Sequence, residues 1–266
     1  MAAIDSARAV GAEAAQIWGS NPRAWAPPVV DAPAARAFGR AWRAAGLGPV
    51  FVHAPYMVNV ASPDPRFRGR SVDLARAILA LAEAVGAAGI VVHAGSGGRS
   101  TPRPEALAAA SRSLLAVAGE ADRADVLVEL MAGTAGAVAS TFAEARELFD
   151  ACGGHPRLAL CADTCHLFAA GYALDTPDGV AGCFDDLRRS GLTRRLRLVH
   201  ANDSAYPRGA RRDRHANIGA GLIGEIGFAA ILARPAVRRA VVVVETPGRP
   251  EDRAADVAAL RRLAGS

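Results

Sequence analysis

GIVVH, at residues 89–93, is a short apolar run that ends on a histidine. Five further runs along the chain repeat this pattern, and each also ends on a side chain that can bind a metal ion. They are PVFVH to His53, VLVE to Glu129, LALCAD to Asp163, RLRLVH to His200 and VVVVE to Glu245. The last residues lie 34 to 45 positions apart, which is the length of one strand, one helix and two loops. This spacing predicts strands that alternate with helices.

The predicted architecture is an α/β fold, a TIM-type (β/α)8 barrel. Runs that are apolar on both faces, such as VVVV at 241–244, are typical of parallel sheets covered by helices. Helical patterns occur at 71–88, 141–152 and 250–263, and the second opens with a capping-box pair, Thr141 and Glu144. Because barrels of about 250 residues form one core, we expect residues 1–266 to be a single barrel domain, with its site at the carboxyl ends of the strands.

The number of strands is one short of a closed eight-stranded barrel. AAQIW near residues 14–18 adds a seventh strand to the six runs, and the chain begins inside what we interpret as the first helix. We therefore expect the first strand to be missing at the N-terminus and to lie upstream of Met1, or the barrel to have an open edge.

The composition excludes several classes of protein. No stretch approaches the roughly 18 uncharged apolar residues of a membrane span, and the first residues do not resemble a cleavable signal. We therefore expect a cytoplasmic protein that does not bind membranes, and we also expect a monomer. The four cysteines, at 152, 161, 165 and 183, lack CxxC spacing, so we expect them to be reduced and mostly buried.

The charge pattern is unusual, because all 31 basic residues are arginine and the net charge is +5. Arginine forms bidentate bonds to phosphate, so the protein could hold an anionic polymer or a phosphorylated substrate, although genomic composition bias also explains this arginine content. The absence of lysine leaves the N-terminus as the only amine for Schiff-base chemistry. Lysine-dependent lyases and aldolases are therefore poor candidates.

Nine side chains form the predicted metal site. They are five histidines and four carboxylates: His53, His93, Glu129, Asp163, His166, His200, Asp213, His215 and Glu245. Zinc binds imidazole nitrogen and carboxylate oxygen, and nine such groups suit two or three ions when a carboxylate bridges two of them. Asp213 and His215 flank Arg214 in RRDRH and would face the same way in an extended segment. His155 follows no strand, and we interpret it as a loop residue.

Six sequence blocks, spread over nearly the whole chain, carry a resemblance to a known family. They are QIWGSNPRAW at 16–25, HAPYMVNVASPDP at 53–65, VVHAGS at 91–96, CADTCHLFAAGYAL at 161–174, HANDSAYPRGARRDRHANIGAGLIG at 200–224 and ETPG at 245–248. Together they resemble the endonuclease IV family, the type 2 apurinic/apyrimidinic endonucleases. The resemblance implies a (β/α)8 barrel with three zinc ions per chain, with Mn²⁺ as an alternative ion. All nine ligand positions of the family are filled here by matching residue types.

The resemblance also implies a role for each ligand. His53 and His93 bind the first zinc, and Glu129 bridges it to the second. The second site is completed by Asp163, His200 and Glu245, and the third is formed by His166, Asp213 and His215. Glu129 is then the catalytic residue, as the bridging ligand of the zinc pair that activates the attacking water.

The implied activity is hydrolysis of the phosphodiester on the 5′ side of an abasic site in duplex DNA, which leaves a 3′-hydroxyl and a 5′-deoxyribose phosphate. Such an enzyme is an endodeoxyribonuclease of base excision repair, and its partner is damaged double-stranded DNA. Arg23 in NPRAW, and Tyr56 with Met57 in HAPYM, match the family's minor-groove loops. They are expected to contact a kinked duplex from which the abasic nucleotide is turned out.

The chain departs from the family pattern at three places. The family usually reads ENTAG where this chain has ELMAG at 129–133, and HPGSH where this chain has HAGSG at 93–97. The first strand, with its GAHVS motif, has no counterpart here. Leu130 and Met131 therefore replace polar neighbours of the bridging carboxylate, which predicts altered support for that ligand and a change in activity.

Two other functions are compatible with these residues. A metal-dependent sugar isomerase or epimerase of the xylose-isomerase-like barrel type also lines a barrel mouth with Glu, Asp and His, but holds one or two metals. The third predicted site in RRDRH, together with NPRAW and HAPY, argues against it. A DNA-binding relative with impaired catalysis is the other alternative, which Leu130, Met131 and the missing strand suggest. Zinc content separates these functions.

Overall fold

Seven parallel strands form the central sheet, and each is joined to the next by at least one helix. The computed structural model describes residues 2–265. In sheet order the strands are β1 (Ala15–Trp18), β2 (Val50–His53), β3 (Gly89–His93), β4 (Asp125–Glu129), β5 (Leu158–Asp163), β6 (Leu196–His200) and β9 (Val241–Val243). Because the strands follow one another in the sheet as they do in the chain, the sheet curls into a nearly closed barrel. The predicted barrel is thus confirmed, with seven strands in the described part of the chain.

The helices surround this sheet on its outer face. They are α1 (Ala2–Ala9), α2 (Ala32–Ala44), α3 (Pro65–Val85), α4 (Arg103–Ala118), α5 (Phe142–Ala151), α6 (Thr164–Ala170), α7 (Pro177–Arg189), α8 (Gly224–Leu232), α9 (Pro235–Arg238) and α10 (Pro250–Ala264). Two short antiparallel strands, β7 (Asp203–Ser204) and β8 (His215–Ala216), follow β6. They close a loop at the carboxyl end of the barrel.

The predicted helix signals are mostly correct. The capping box of α5 is confirmed. The side chain of Thr141 accepts the backbone N–H of Glu144, and the side chain of Glu144 accepts the backbone N–H of Thr141. The helix predicted at 71–88 begins earlier, at Pro65, since Asp64 caps it with two hydrogen bonds. It ends before Gly86, whose φ of 73° only glycine adopts without strain.

Apolar side chains form two separate cores. The larger lies between the sheet and the helices and includes Ile78, Leu114 and Phe142, each of them buried. The smaller fills the inside of the barrel with alternate residues of the strands: Phe51, Val91, Leu127, Ala159, Cys161, Leu198 and Val243. This inner layer forms the floor on which the polar strand ends stand.

The sheet has two edges, because β1 and β9 do not pair within residues 2–265. At the barrel mouth, the side chain of Gln16 crosses this seam and donates a hydrogen bond of 2.6 Å to Glu245. Outside the barrel, α1 packs on α10, and Arg261 of α10 donates to the carbonyl of Gly11 at 2.7 Å. The residues of β1 are only half-buried or exposed, unlike those of β2. Within residues 2–265 the sheet is therefore open at this seam.

Two predictions from composition can also be compared with the structure. The cysteines at 152, 161, 165 and 183 are free and buried, as expected. Among residues 2–265, none of the helices has the length and apolar character needed to cross a membrane.

Candidate metal centre

Each predicted ligand at the end of a barrel strand lies two residues after a side chain of the inner apolar layer. Along a strand, residues two apart face the same side, so His53 follows Phe51 into the barrel interior, and Glu129 follows Leu127. The same alternation brings in His93 after Val91, Asp163 after Cys161, His200 after Leu198 and Glu245 after Val243. All six side chains therefore project from the carboxyl ends of the strands into one mouth.

Three further candidate ligands come from helix α6, the loop between β7 and β8, and strand β8. Asp163 caps α6, and its Oδ1 accepts the backbone N–H of His166 at 2.9 Å, which holds His166 above the strand ends. The loop is tied to the end of α6 by a backbone hydrogen bond of 3.0 Å from Arg211 to Ala169. This brings Asp213 within 3.2 Å of His166 and 3.1 Å of His215.

The nine side chains form three groups that could each hold a metal ion. Within each group, the candidate ligand atoms lie within 4.8 Å of one another. The groups are His53, His93 and Glu129; then Glu129, Asp163, His200 and Glu245; then His166, Asp213 and His215. A fourth group shares Asp163 and His215 with these and adds Cys165. His155 belongs to none of these groups, in agreement with its interpretation as a loop residue.

Glu129 connects two of these groups. Its Oε2 lies 3.0 Å from Nε2 of His53 and 3.3 Å from Nε2 of His93. Its Oε1 lies 3.2 Å from Nδ1 of His200 and 3.4 Å from Nδ1 of His166. The carboxylate is 1% exposed, so solvent does not compete for its oxygens. One carboxylate thus presents one oxygen to each of two neighbouring groups, which is the arrangement of a bridging ligand.

The histidine rings are oriented by hydrogen bonds on their outer nitrogens. Nδ1 of His53 donates to the carbonyl of Ala54 at 2.6 Å, and Nδ1 of His166 donates to the carbonyl of Leu130 at 2.9 Å. Nδ1 of His215 donates to the carbonyl of Glu245 at 3.2 Å. In each case Nε2 is left facing carboxylates, which is how histidine ligands of metals are usually supported.

Two polar residues that sequence reasoning did not select complete this support. Asn202 donates to Oδ2 of Asp163 at 2.6 Å and accepts the backbone N–H of Glu245 at 2.8 Å. Gln16 lies between His200 and Glu245. Asn202 stands two residues after the ligand His200, and Gln16 is the one polar residue of an otherwise apolar strand, so both carried a weak signal in the sequence.

The electrostatics of the centre follow from burying many charges together. Burial alone would raise the pKa of Glu129, but the nearby His200 and His93 hold it well below its usual 4.5. Burial also opposes a proton on His166, yet Asp163 and Asp213 outweigh it and raise the pKa of His166 to about 10. The pKa of His215 is raised to about 9 by the same carboxylates, against the effect of burial. The pKa values of Glu129 and Asp213 are held below their usual range, so these two carboxylates stay ionised and favour a positive charge in their midst.

The donors fit zinc. Nε2 of His215 is buried and makes no hydrogen bond to any residue within 2–265, although it faces Oδ1 of Asp213 at 3.1 Å and Oδ2 of Asp163 at 3.5 Å. A buried imidazole nitrogen that faces two carboxylate oxygens is stabilised there by a proton or by a metal ion between them. Imidazole nitrogens combined with carboxylate oxygens are the ligand set that zinc prefers.

The three residues predicted to contact DNA lie at the rim of the mouth. Arg23 is exposed, Tyr56 is 59% exposed, and Met57 is half-buried. The NPRAW loop and the HAPYM loop are joined by a hydrogen bond, in which the backbone N–H of Tyr56 donates to the carbonyl of Pro22 at 3.1 Å. Trp18, which was not predicted, packs against both Tyr56 and His53, with ring centroids 4.8 Å apart in each case. The aromatic rings thus extend from the predicted metal ligands to the rim.

The departures from the family pattern have a simple structural basis. The side chain of Leu130 is fully buried in the outer core, and the residue supports His166 through its main-chain carbonyl, which any residue type supplies. Gly97 stands where the family has a second histidine, and a Cβ at Gly97 would lie 2.7 Å from that of Ala106. Leu130 and Gly97 therefore fit their surroundings.

Comparison with known proteins gives the family. The profile of the xylose isomerase-like TIM barrel family matches residues 4–263. A probable endonuclease 4 of Streptomyces coelicolor is 42% identical over 98% of this chain and 89% of its own length. The chain belongs to the endonuclease IV family. It is therefore a hydrolytic endonuclease by class, as the sequence blocks predicted.

Solved structures agree with this assignment. The crystal structure of endonuclease IV from Thermus thermophilus matches with a TM-score of 0.87 and 32% identity, and the match covers 99% of this chain and 93% of the other. A D-tagatose 3-epimerase-like protein matches with a TM-score of 0.74 over 95% of this chain and 88% of its own, but at 19% identity. That second likeness extends to the fold alone, which the endonuclease IV family shares with sugar epimerases.

Proposed function

We propose that this member of the endonuclease IV family is a zinc-dependent apurinic/apyrimidinic endonuclease. It hydrolyses the phosphodiester on the 5′ side of an abasic site in duplex DNA and leaves a 3′-hydroxyl and a 5′-deoxyribose phosphate. The observation that carries the proposal is Glu129, whose two oxygens face two different groups of histidines and carboxylates. A bridged pair of metals suits phosphodiester hydrolysis because it can act on the attacking and the leaving oxygen.

The proposed ligands follow the three groups. His53, His93 and Glu129 would hold one ion, and Glu129, Asp163, His200 and Glu245 would hold a second. His166, Asp213 and His215 would hold a third. When bound, zinc ions lower the pKa of water to about 7 and neutralise charge on the phosphodiester. We propose that residues 1–266 work as one domain and as a monomer.

The chain's own residues keep this chemistry in place. Asp163 acts in two ways, since Oδ1 caps α6 and holds His166 while Oδ2 faces the ligand nitrogen of His215 at 3.5 Å. Asn202 restrains Asp163 and the backbone of Glu245 at once. Because these groups are ordered by hydrogen bonds before substrate arrives, little reorganisation is needed when the phosphodiester binds.

Recognition of the lesion is assigned to the rim. Burial and the charges of Glu245 and Asp213 raise the pKa of Tyr56 above its usual 10.0, so its phenol stays protonated and can donate to a phosphate oxygen. Arg23 reaches solvent beside it and can pair with the DNA backbone. An abasic nucleotide leaves the stack at a cost of only a few kcal/mol, so a rim of Trp18, Tyr56 and Met57 can hold the duplex open around it.

Zinc content tests this proposal against a sugar isomerase or epimerase. The protein should be purified without chelator, dialysed against metal-free buffer and analysed by inductively coupled plasma mass spectrometry. About three zinc ions per chain support the nuclease, whereas one or two would favour the sugar enzyme. A fully zinc-loaded chain that binds abasic duplex without cutting it would instead identify a DNA-binding relative with impaired catalysis.

A further inference from the structure

Gln16 is the only glutamine of the chain, and it lies on the edge strand β1. Its register partner in β2 is Phe51, which faces the barrel interior, so the side chain of Gln16 also points inward. It reaches the mouth at the seam between β1 and β9, where the strands themselves do not pair within residues 2–265.

The amide of Gln16 contacts two of the proposed ligands. Its Nε2 donates to Oε1 of Glu245 at 2.6 Å, and its Oε1 lies 2.9 Å from Nε2 of His200. A carboxylate has only acceptors, so the NH₂ group of Gln16 must face Glu245. The amide oxygen then faces His200, and Nε2 of His200 must carry the hydrogen that it accepts.

This arrangement decides which nitrogen of His200 is available to a metal. With Nε2–H donated to Gln16, Nδ1 is the nitrogen that faces the second group, at 3.0 Å from Oε2 of Glu245 and 3.2 Å from Oε1 of Glu129. Gln16 holds Glu245 in the same way, because it occupies Oε1 and leaves Oε2 directed at the site.

Gln16 differs from the other groups that orient the histidines. His53, His166 and His215 donate to main-chain carbonyls, which remain after any substitution. His200 donates to a side chain that can be replaced. The hydrogen-bonded support of His200 can therefore be removed selectively, without altering the ligands themselves.

We propose that Gln16 is a positioning residue for the second metal: its amide orients His200 and Glu245 together, so that Nδ1 of one and Oε2 of the other face the same ion. The inference rests on the proposed three-metal site. The side chain of Gln16 also links β1 to the end of β9 across the seam at the mouth, where the two strands do not pair within residues 2–265.

The test uses Gln16→Met, which keeps the length of the side chain and removes its hydrogen bonds, and Gln16→Ala as a second variant. Ile17→Val is the matched control, because it alters the next residue of the same strand, which packs into the outer core. Circular dichroism and thermal unfolding in EDTA check that each variant folds. The full-length protein is used throughout, with and without zinc.

Two measurements decide the result. In zinc-free protein labelled with ¹⁵N-histidine, exchange of the Nε2–H of His200 with solvent is followed by NMR. It should be slow in the wild type and in Ile17→Val, and fast in Gln16→Met. Zinc affinity is measured by competition with a chromogenic chelator. One zinc ion should bind about 10- to 100-fold more weakly in Gln16→Met, as is typical when a ligand loses its hydrogen-bonded support, and the others should be unchanged.

The outcomes separate this inference from the proposed function. A slowly exchanging Nε2–H together with wild-type zinc affinity in Gln16→Met would overturn the role of Gln16, while the zinc site would stand. A wild-type protein that binds no zinc would overturn the proposed function, and exchange at His200 in the zinc-free protein would still decide whether Gln16 orients that ring.

Discussion

Oε2 of Glu129 lies 3.0 Å from Nε2 of His53, although 76 positions separate the two residues in the sequence. The other oxygen, Oε1, lies 3.2 Å from Nδ1 of His200. The two histidines belong to different groups of candidate ligands, which share only Glu129. The activity of the proposed enzyme should therefore depend on this carboxylate more than on any single histidine.

Substitution of Glu129 tests the bridge. Glu129→Gln keeps the shape of the side chain but replaces one oxygen with an amide donor and removes the charge, so the pair of metals loses its common ligand. We expect incision of abasic duplex to fall by at least about 100-fold, because loss of outer support alone costs 10- to 100-fold. Glu147→Gln, at an exposed ion pair with Arg103 on the outer helices, is the matched control. Wild-type incision rates in Glu129→Gln would exclude the bridging role.

The rim aromatic Tyr56 should contribute to DNA binding and not to metal binding. Stacking of an aromatic side chain on nucleic acid contributes about 1–3 kcal/mol, so Tyr56→Ala should weaken binding of abasic duplex by about 10-fold. Its zinc content should equal that of the wild type. Val29→Ala serves as a control at another exposed apolar side chain, which is 95% exposed. Fluorescence anisotropy with a labelled duplex measures the affinity, and equal affinities for Tyr56→Ala and the wild type would remove Tyr56 from the interface.

Affinity for DNA should fall steeply with salt, because the proposed contacts to phosphate come from arginine. Each contact releases bound counterions, so the logarithm of the association constant should fall linearly with the logarithm of salt concentration, by about 0.9 per phosphate. Arg23→Ala should reduce this slope by about one. Arg238→Ala is the control, since Arg238 ends helix α9 just before β9 and lies at the opposite end of the barrel. A salt-independent affinity would contradict the DNA-binding interface.

The metal-free protein should become less stable as the pH rises. Burial opposes a charge on His166 and His215, but Asp163 and Asp213 raise their pKa values from 6.5 to about 10 and about 9. The folded state therefore keeps protons that the unfolded chain loses, and this stabilisation is complete below pH 6.5 and lost as the pH rises through 9 and 10. Thermal unfolding in EDTA should give a decreasing melting temperature over this range. With zinc in place of the protons the dependence should be weaker, and a melting temperature in EDTA that increases with pH would contradict the assignment.

Much of the barrel and of the candidate metal centre could be predicted because both follow from local sequence patterns. A buried parallel strand is a continuous apolar run, and a polar residue at its end must leave the core at the carboxyl side. His53, Glu129 and Glu245 were recognised in this way. The pair in RRDRH was recognised from its spacing, and the structure brings Asp213 and His215 to within 3.1 Å of each other.

The residues that were missed act through contacts between distant parts of the chain. Gln16 meets Glu245 across 229 positions, and this contact exists only because the sheet curls until its two edges approach each other. Asn202 acts on Asp163 and Glu245, on two other strands. The hydrogen bond from His166 to the carbonyl of Leu130 could not be predicted either, because it involves a main-chain group that every residue type has.

Cleavage of a duplex that contains a single tetrahydrofuran abasic analogue tests whether the chain hydrolyses the phosphodiester at abasic sites, since this analogue cannot be cut by β-elimination. The purified chain should be assayed with added zinc and with an excess of EDTA, and the ends of the products should be identified by their extension with a DNA polymerase. We expect a nick on the 5′ side of the analogue that leaves an extendable 3′-hydroxyl and disappears with EDTA. A folded, zinc-loaded chain that leaves this duplex intact would contradict this expectation.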